Sequence, residues 1–279
     1  MPVAAEKLVG LREAVELVEE GSTITVSGIT FSRNPTALVA ALIERGARGL
    51  GFVDREPGLA LDLLVAAGVV SSVRAAMATL ELYGLAPSVR RAVEEGRVGF
   101  LEDTCGAVIA GLRAGAYGLP FMPVAGVLGS QLVELHERED TWRVIRDPFG
   151  GGEVVAVRAI RPDVALIHAH YCDPYGNCVI EGPRYEDELK IRASRLVIVS
   201  AEEIVDTDAL RRLPHPLSST SLHVDAVVHA PGGAWPTAMH GRYGADWGAI
   251  EEYARMAREG RALEWFSKHL RPRLSGWGW

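Results

Sequence analysis

Short apolar runs of β type alternate with helix-patterned segments along almost the whole chain. No other feature constrains the fold as much. The runs are Thr23–Gly28, Leu50–Val53, Val73–Ala76, Val98–Leu101, Phe121–Pro123, Val154–Ala159, Val164–His170, Leu196–Ser200 and Val224–His229. Helical patterns lie at Ala4–Glu20, Pro35–Arg45, Leu59–Ala67, Ser88–Glu95, Gly106–Gly118 and Ala245–Glu259. This alternation predicts an α/β fold: an open, mostly parallel sheet with helices on both faces. The uninterrupted apolar stretch Val164-Ala165-Leu166-Ile167 fits a strand buried on both sides. Between Trp142 and Ile160 the pattern changes. Asp147-Pro148-Phe149-Gly150-Gly151-Gly152 is a turn flanked by β-type runs, which predicts an antiparallel hairpin inserted on the main sheet. With no low-complexity linker or repeat, the 279 residues read as a single domain, 1–279. It carries the hairpin near 142–160 and a C-terminal helical and tail region at 245–279. The tail, Arg271 to Trp279, reads either as a loose end or as an apolar strip docked on a partner, the second being preferred.

Charge and hydropathy narrow the function classes. A net charge of −7 argues against nucleic acid as the main partner. No apolar run approaches the roughly 18 residues of a membrane span, and the N-terminus lacks the basic start and apolar centre of a signal peptide. The cytoplasm is the expected location. Three cysteines, Cys105, Cys172 and Cys178, are too few for a disulfide framework and fit a reducing compartment.

Ser27-Gly28-Ile29-Thr30-Phe31-Ser32-Arg33-Asn34-Pro35 joins the first strand to a helix. Such a loop points backbone N–H groups at one spot and suits an anionic or carbonyl oxygen, although it also suits a plain turn. Gly126-Val127-Leu128-Gly129-Ser130-Gln131 is a second small-residue loop that would let a ligand approach the backbone. Pro231-Gly232-Gly233-Ala234-Trp235-Pro236-Thr237 is a third loop, explained equally well by turn chemistry. His168-Ala169-His170-Tyr171-Cys172 ends a strand, and alternation puts His168, His170 and Cys172 on one face. With Cys178 they are chemically suited to zinc, but the spacing matches no common zinc pattern, so no metal is expected. One histidine is expected to bond inside the sheet and the other to line a cleft at the strand end. Glu102-Asp103-Thr104-Cys105 closes another strand before a helix. Asp103 or Thr104 serves as N-cap in the structural reading, and Glu102 or Cys105 faces the cleft in the functional one.

Taken in order, these pieces resemble the α (A) subunit of family I coenzyme A transferases, glutaconate CoA-transferase-like proteins above all. The likeness rests on Gly28…Ser32-Arg33-Asn34-Pro35, Gly118-Leu119-Pro120-Phe121-Met122-Pro123…Leu128-Gly129-Ser130 and Val164-Ala165-Leu166-Ile167-His168-Ala169. It continues through Asp173…Tyr175-Gly176-Asn177, Val197 to Val205, and Val224-Asp225-Ala226-Val227-Val228…Ala230-Pro231-Gly232-Gly233-Ala234. The resemblance implies an acyl-CoA site at an interface with a β subunit. There a glutamate carboxylate of the β subunit attacks the thioester, CoA thiolate opens the mixed anhydride, and the steps reverse with the acceptor acid. No equivalent nucleophile is found in this chain, so it reads as half of an enzyme in a hetero-oligomer. It would supply the acyl-group pocket, with coenzyme A thioester as substrate and no permanently bound cofactor.

On that reading Gly28, Ser32, Arg33 and Asn34 contact the acyl group and its carbonyl, and Gly129 and Ser130 form the opposite wall. His168 belongs to the same site and Glu102 is the catalytic candidate within this chain. Arg33 is expected to pair with the distal carboxylate of a dicarboxylic acyl group. Two alternatives stand beside the transferase. One is the α subunit of a ring-opening acyl-CoA hydrolase of the same family, acting in steroid-ring degradation. Its acting glutamate falls at Cys105 here, which weakens that reading. The other is a non-catalytic acyl-CoA-binding protein.

Overall fold

The computed structural model describes residues 5–279. In chain order, the first half comprises α1 (Leu11–Glu16), β1 (Thr23–Val26), α2 (Thr36–Arg45), β2 (Leu50–Asp54), α3 (Gly58–Ala66), β3 (Val70–Ala75), α4 (Pro87–Glu94), β4 (Gly99–Glu102) and α5 (Cys105–Ala116). A second group follows: β5 (Phe121–Val124), α6 (Gln131–Arg138), β6 (Trp142–Arg146) and β7 (Glu153–Arg158). The chain then gives β8 (Val164–Cys172), β9 (Cys178–Val179), α7 (Asp187–Ala193), β10 (Leu196–Ile204), α8 (Thr207–Arg212), β11 (Ala226–His229), α9 (Trp247–Arg258) and α10 (Ala262–His269).

Seven strands form a parallel sheet in the order β11-β10-β8-β1-β2-β3-β4, with β9 added antiparallel to β8. The expected open, mostly parallel sheet is thus what the chain builds. From β1 the chain winds outward to β4, returns to β8 on the other side of β1, and winds outward again. The winding direction reverses between β1 and β8, the usual place for a crevice in such sheets. Alternation in β8 shows why the strand reads as continuously apolar. Val164 and Leu166 enter the large core with α2, α3 and α9, whereas Ala165, Ile167 and Ala169 pack with Ile191 of α7 on the opposite face.

The hairpin is present but not where the sequence puts it. β6 and β7 pair antiparallel, and their partner is β5, making a separate three-stranded sheet in the order β5-β7-β6. Val155 and Val157 of β7, with Trp142, pack against Ala107 of α5 and against Leu132 and Val133 of α6, giving this lobe its own small core. The N-terminal helix is also shorter than its apolar pattern suggests. It starts at Leu11, and Leu8 instead makes a parallel bridge to Val227 beside β11. The part of that expected helix at position 4 lies outside the described residues.

The tail docks on its own chain. Leu274 and Trp277 are buried in the main core, and the Trp277 indole N–H donates to the Pro231 carbonyl at 2.9 Å. The apolar strip therefore serves the fold itself rather than a partner. Cys172 and Cys178 form a disulfide across the β8–β9 turn, which departs from the reading of the three cysteines as fitting a reducing compartment; Cys105 is free.

Candidate functional site

Parallel strands aim their C-terminal ends at one rim of the sheet, and the chemistry-bearing side chains gather there. The loop after β1 is the first element on that rim, and it is closed. Gly28 has φ +76°, and a Cβ on it would lie 1.9 Å from the Ser32 carbonyl oxygen, so only glycine fits. Thr30 and Arg33 also adopt positive φ, so the loop is held in a conformation L residues rarely choose. What holds it is hydrogen bonding from every side. The Gly28 N–H goes to Asp187, Thr30 N–H to the Glu56 carbonyl, Arg33 N–H to the Ala238 carbonyl and Asn34 N–H to the Thr237 hydroxyl. The Pro231–Thr237 loop lies against it, its Gly233 carbonyl accepting from Ala37 N–H. These N–H donors, expected to cradle a ligand oxygen, are committed within the protein.

The same holds for the side chains expected to contact substrate. Arg33 is 2% exposed. Its guanidinium forms an ion pair with Asp187 and donates to the carbonyls of His168 (3.1 Å) and Pro183 (3.2 Å), all of them internal partners. The Asn34 Oδ1 accepts from Ala60 N–H in the first turn of α3, at 3.2 Å. Ser32 is half-buried. One turn beyond Asp187, α7 presents Lys190, whose ammonium reaches both Asp54 carboxylate oxygens (2.8 and 2.9 Å) and the Val26 carbonyl. Two buried ion pairs of opposite polarity thus pin α7 across the ends of β1 and β2. The spacing of Asp187 and Lys190 is a sequence-level signal for this clamp, although the periodicity does not mark α7 as a helix.

His168 is also internal. As a neutral ring it donates Nε2–H to Glu202 Oε1 (2.9 Å) and accepts at Nδ1 from the Ser200 hydroxyl (2.8 Å). Glu202 further accepts from Tyr243 O–H and from the Gly232 N–H at 2.8 Å. Burial opposes ionisation of Glu202, yet these donors hold its carboxyl down to about 2. Burial lowers the His168 imidazole and outweighs Glu202, so the ring stays neutral. His170, expected at the cleft, is buried too, its ring bonded to the His240 carbonyl (2.8 Å) and to the Glu181 N–H (3.1 Å). With Cys172 and Cys178 joined to each other, the four side chains weighed for zinc are all engaged elsewhere.

What remains open lies toward the edge strand β4. Glu102 ends that strand with an exposed side chain. Thr104 caps α5, its Oγ1 accepting from Ala107 N–H at 3.1 Å, and Asp103 turns inward to Arg74 at 2.7 Å. Capping therefore takes Thr104 and leaves Glu102 unused by the helix. Cys105 is the first residue of α5 and half-buried. Arg55, at the end of β2, lies 3.0 Å from Glu186 and 3.3 Å from Glu56; burial alone would lower its pKa, but these carboxylates and the nearby Cys105 raise it. Beside Glu102, an open trough of about 830 Å³ runs between β4 and α4.

The second small-residue loop belongs to this end of the molecule. Gly129 and Ser130 are exposed, Gly129 has φ +78°, and Ser130 immediately precedes α6. Six residues on, roughly 9 Å along that helix, His136 stacks on Trp142 with ring centroids 3.9 Å apart. Its Nε2 contacts the Glu102 carbonyl and its Nδ1 the Thr141 hydroxyl, both at 2.7 Å. His136 does not stand out in the sequence. Only the amphipathic pattern of Gln131–Arg138 could show that a histidine faces inward there.

The rim is therefore divided. Gly28, Arg33, Asn34 and His168 form a closed polar core around the β1–β8 reversal, whereas Glu102, Cys105, Gly129 and Ser130 belong to an accessible end near β4. The sequence profile of the family described as Coenzyme A transferase matches residues 10–230. An uncharacterized protein of Archaeoglobus fulgidus is 36% identical over 95% of this chain, and the chain spans only 60% of that relative's length. The A-type subunit of 3-oxoadipate CoA-transferase from Pseudomonas knackmussii is 32% identical, over 95% of this chain and 94% of its own. Among solved structures, a variant of the decarboxylase AibA/AibB superposes with a TM-score of 0.86 at 33% identity, covering 96% of this chain and 99% of that one.

Proposed function

The chain belongs to the coenzyme A transferase family, and from that premise we propose that it is the α subunit of a heteromeric acyl-CoA:carboxylate CoA-transferase. In this reading the chain offers the acyl-group site at the β4 end of the rim, and a partner β subunit brings the nucleophilic glutamate. The observation that carries the reading is the division of the rim. The buried carboxylates Asp54, Asp187 and Glu202 are each bound to an internal cation or to several donors, whereas Glu102 is free at an open surface. A carboxylate already held by an ion pair is a poor nucleophile, because attack would break that pairing. In this reading a second chain covers the open end.

The partner's carboxylate attacks the thioester carbonyl, CoA thiolate leaves, and the thiolate then opens the mixed anhydride to leave a glutamyl-CoA thioester and the free acid. Glu102, Cys105 and the Gly129–Ser130 loop border the acyl group during this exchange. The Pseudomonas relative is named as one subunit of its enzyme, and the AibA/AibB structure carries a paired name; both support a two-chain enzyme.

Mixing tests the proposal. This chain alone should give no exchange between acetate and an acyl-CoA, and adding the co-isolated second subunit should restore it. In the reconstituted enzyme Glu102→Gln should lower kcat/KM about ten-fold or more with an unchanged melting temperature. Exchange by this chain alone would contradict the split. Unchanged kinetics in the variant would remove Glu102 from the site.

The exposed Glu102 also favours a second reading, in which this chain's own carboxylate assists water attack on an acyl-CoA. Product formation without acceptor acid, with ¹⁸O from solvent water in the released acid and no enzyme-bound CoA, would select it over transfer.

A further inference from the structure

The trough beside Glu102 has a chemical character that bears on which acyl group the chain accepts. Its apolar lining comes from Met77, Ala78, Leu85, Val89, Val93 and Phe100. Met77 and Leu85 are 44% and 59% exposed and line the same trough, so the apolar surface there is continuous. The volume of about 830 Å³ falls within the range of ligand pockets. Among the described residues its polar lining is Arg90, Glu94 and Glu102. Arg90 is the lone cation of the three, and its Nε already donates to Glu94 at 2.8 Å. Two carboxylates against one guanidinium, itself in an exposed ion pair with Glu94, leave the trough's lining net negative. The other guanidinium that the sequence suggests for a substrate carboxylate, that of Arg33, is shut away with Asp187.

We propose that the acyl group seated in this trough is an extended, uncharged hydrocarbon acyl group, its thioester carbonyl at the Glu102 end. The inference rests on the coenzyme A transfer reading above and adds the substrate class to it. A dicarboxylic acyl group, such as that of 3-oxoadipate, would have to bring its second carboxylate out of water into an apolar channel between Glu94 and Glu102. Among the described residues the one cation of the lining, Arg90, is paired with Glu94 and the lining is net negative, so the desolvation cost has little offset. A hydrocarbon chain gains from the same surface, by about four-fold in affinity for each methylene buried.

The test uses the hetero-oligomer as isolated from its source cells, with acetate as acceptor and acetyl-CoA formation as the readout. Octanoyl-CoA should exceed glutaryl-CoA in kcat/KM by about ten-fold or more, with a rise from butanoyl-CoA to octanoyl-CoA. Ala78→Phe, which fills the trough, should reduce octanoyl-CoA transfer at least ten-fold more than butanoyl-CoA transfer. Val93→Arg, which adds a cation at the rim, should shift the ratio toward glutaryl-CoA. Melting curves confirm that both variants fold. Equal or better use of glutaryl-CoA by the unaltered enzyme overturns the inference and leaves transfer itself intact. So does a chain-length profile that neither variant changes. Loss of the second subunit from a folded Ala78→Phe protein also overturns it, since the trough would then hold a partner segment. No transfer from any of these thioesters overturns the coenzyme A transfer reading, and the substrate assignment falls with it.

Discussion

Arg33 shows how a residue's type and its position can point to different roles. A lone arginine in a Gly-containing loop after a strand reads naturally as an anion receptor. The structure gives its guanidinium to Asp187 and two carbonyls at 2% exposure. Nothing within residues 27–35 announces this, because the partner lies 154 positions away and enters on a helix that lacks a long apolar stripe. Arg33→Ala should therefore act on stability before specificity. Leaving Asp187 buried and unpaired should cost about 3–5 kcal/mol in urea unfolding. The double variant Arg33→Met/Asp187→Leu should recover only part of that loss, since the buried Gly28 N–H then lacks its acceptor. Whatever activity remains in Arg33→Ala should fall equally for mono- and dicarboxylic thioesters. A selective loss with dicarboxylic thioesters at native stability would return Arg33 to the site. Gly28 reads from the sequence as a contact for the acyl group, and the structure gives its N–H to Asp187.

At the scale of elements, periodicity located most strands of the main sheet to within a residue or two, since alternation and apolar runs depend on burial alone. It could not tell which sheet β5 joins. Phe121–Val124 looks like the other strands, and only pairing with β7 assigns it to the small lobe. That lobe is tied to the main sheet at its edge by α6 and the buried His136. Replacing His136 with leucine removes the bonds to the Glu102 carbonyl and to Thr141, at a cost of about 1–3 kcal/mol. Hydrogen exchange should then accelerate in Gln131–Arg138 and at the end of β4, and stay unchanged in β8 and β10. Uniform acceleration across the protein, or none, would show that α6 is not latched through this ring.

For the molecule as a whole, the polar groups sealed beneath the rim set how stability varies with acidity. Burial lowers the pKa of His136, His168 and His170. The unfolded chain takes up these protons near pH 6.5 and the folded chain does not, so stability is greatest above that pH and falls below it. Each ring that stays neutral contributes at most about 1.4 kcal/mol of loss per pH unit. Glu202, held down to about 2, adds a further loss only as the pH drops through the ordinary carboxylate range. Asp62 acts in the opposite sense, because burial raises its carboxyl and favours the protonated folded form in acid. Urea midpoints measured at pH 7.5, 6.5 and 5.5 should decline in that order. A flat or rising series would mean that the three rings take up protons in the folded state.

On the proposed reading this chain supplies an acyl-group site and another chain supplies the nucleophile. The most direct test is the intact mass of each polypeptide after the protein, isolated from its source cells with any second subunit it carries, has been incubated with an acyl-CoA and quenched. That division of labour should place a coenzyme A adduct on the second polypeptide and leave the 30.1 kDa chain unmodified. An adduct on this chain, or none on either while exchange proceeds, would contradict it.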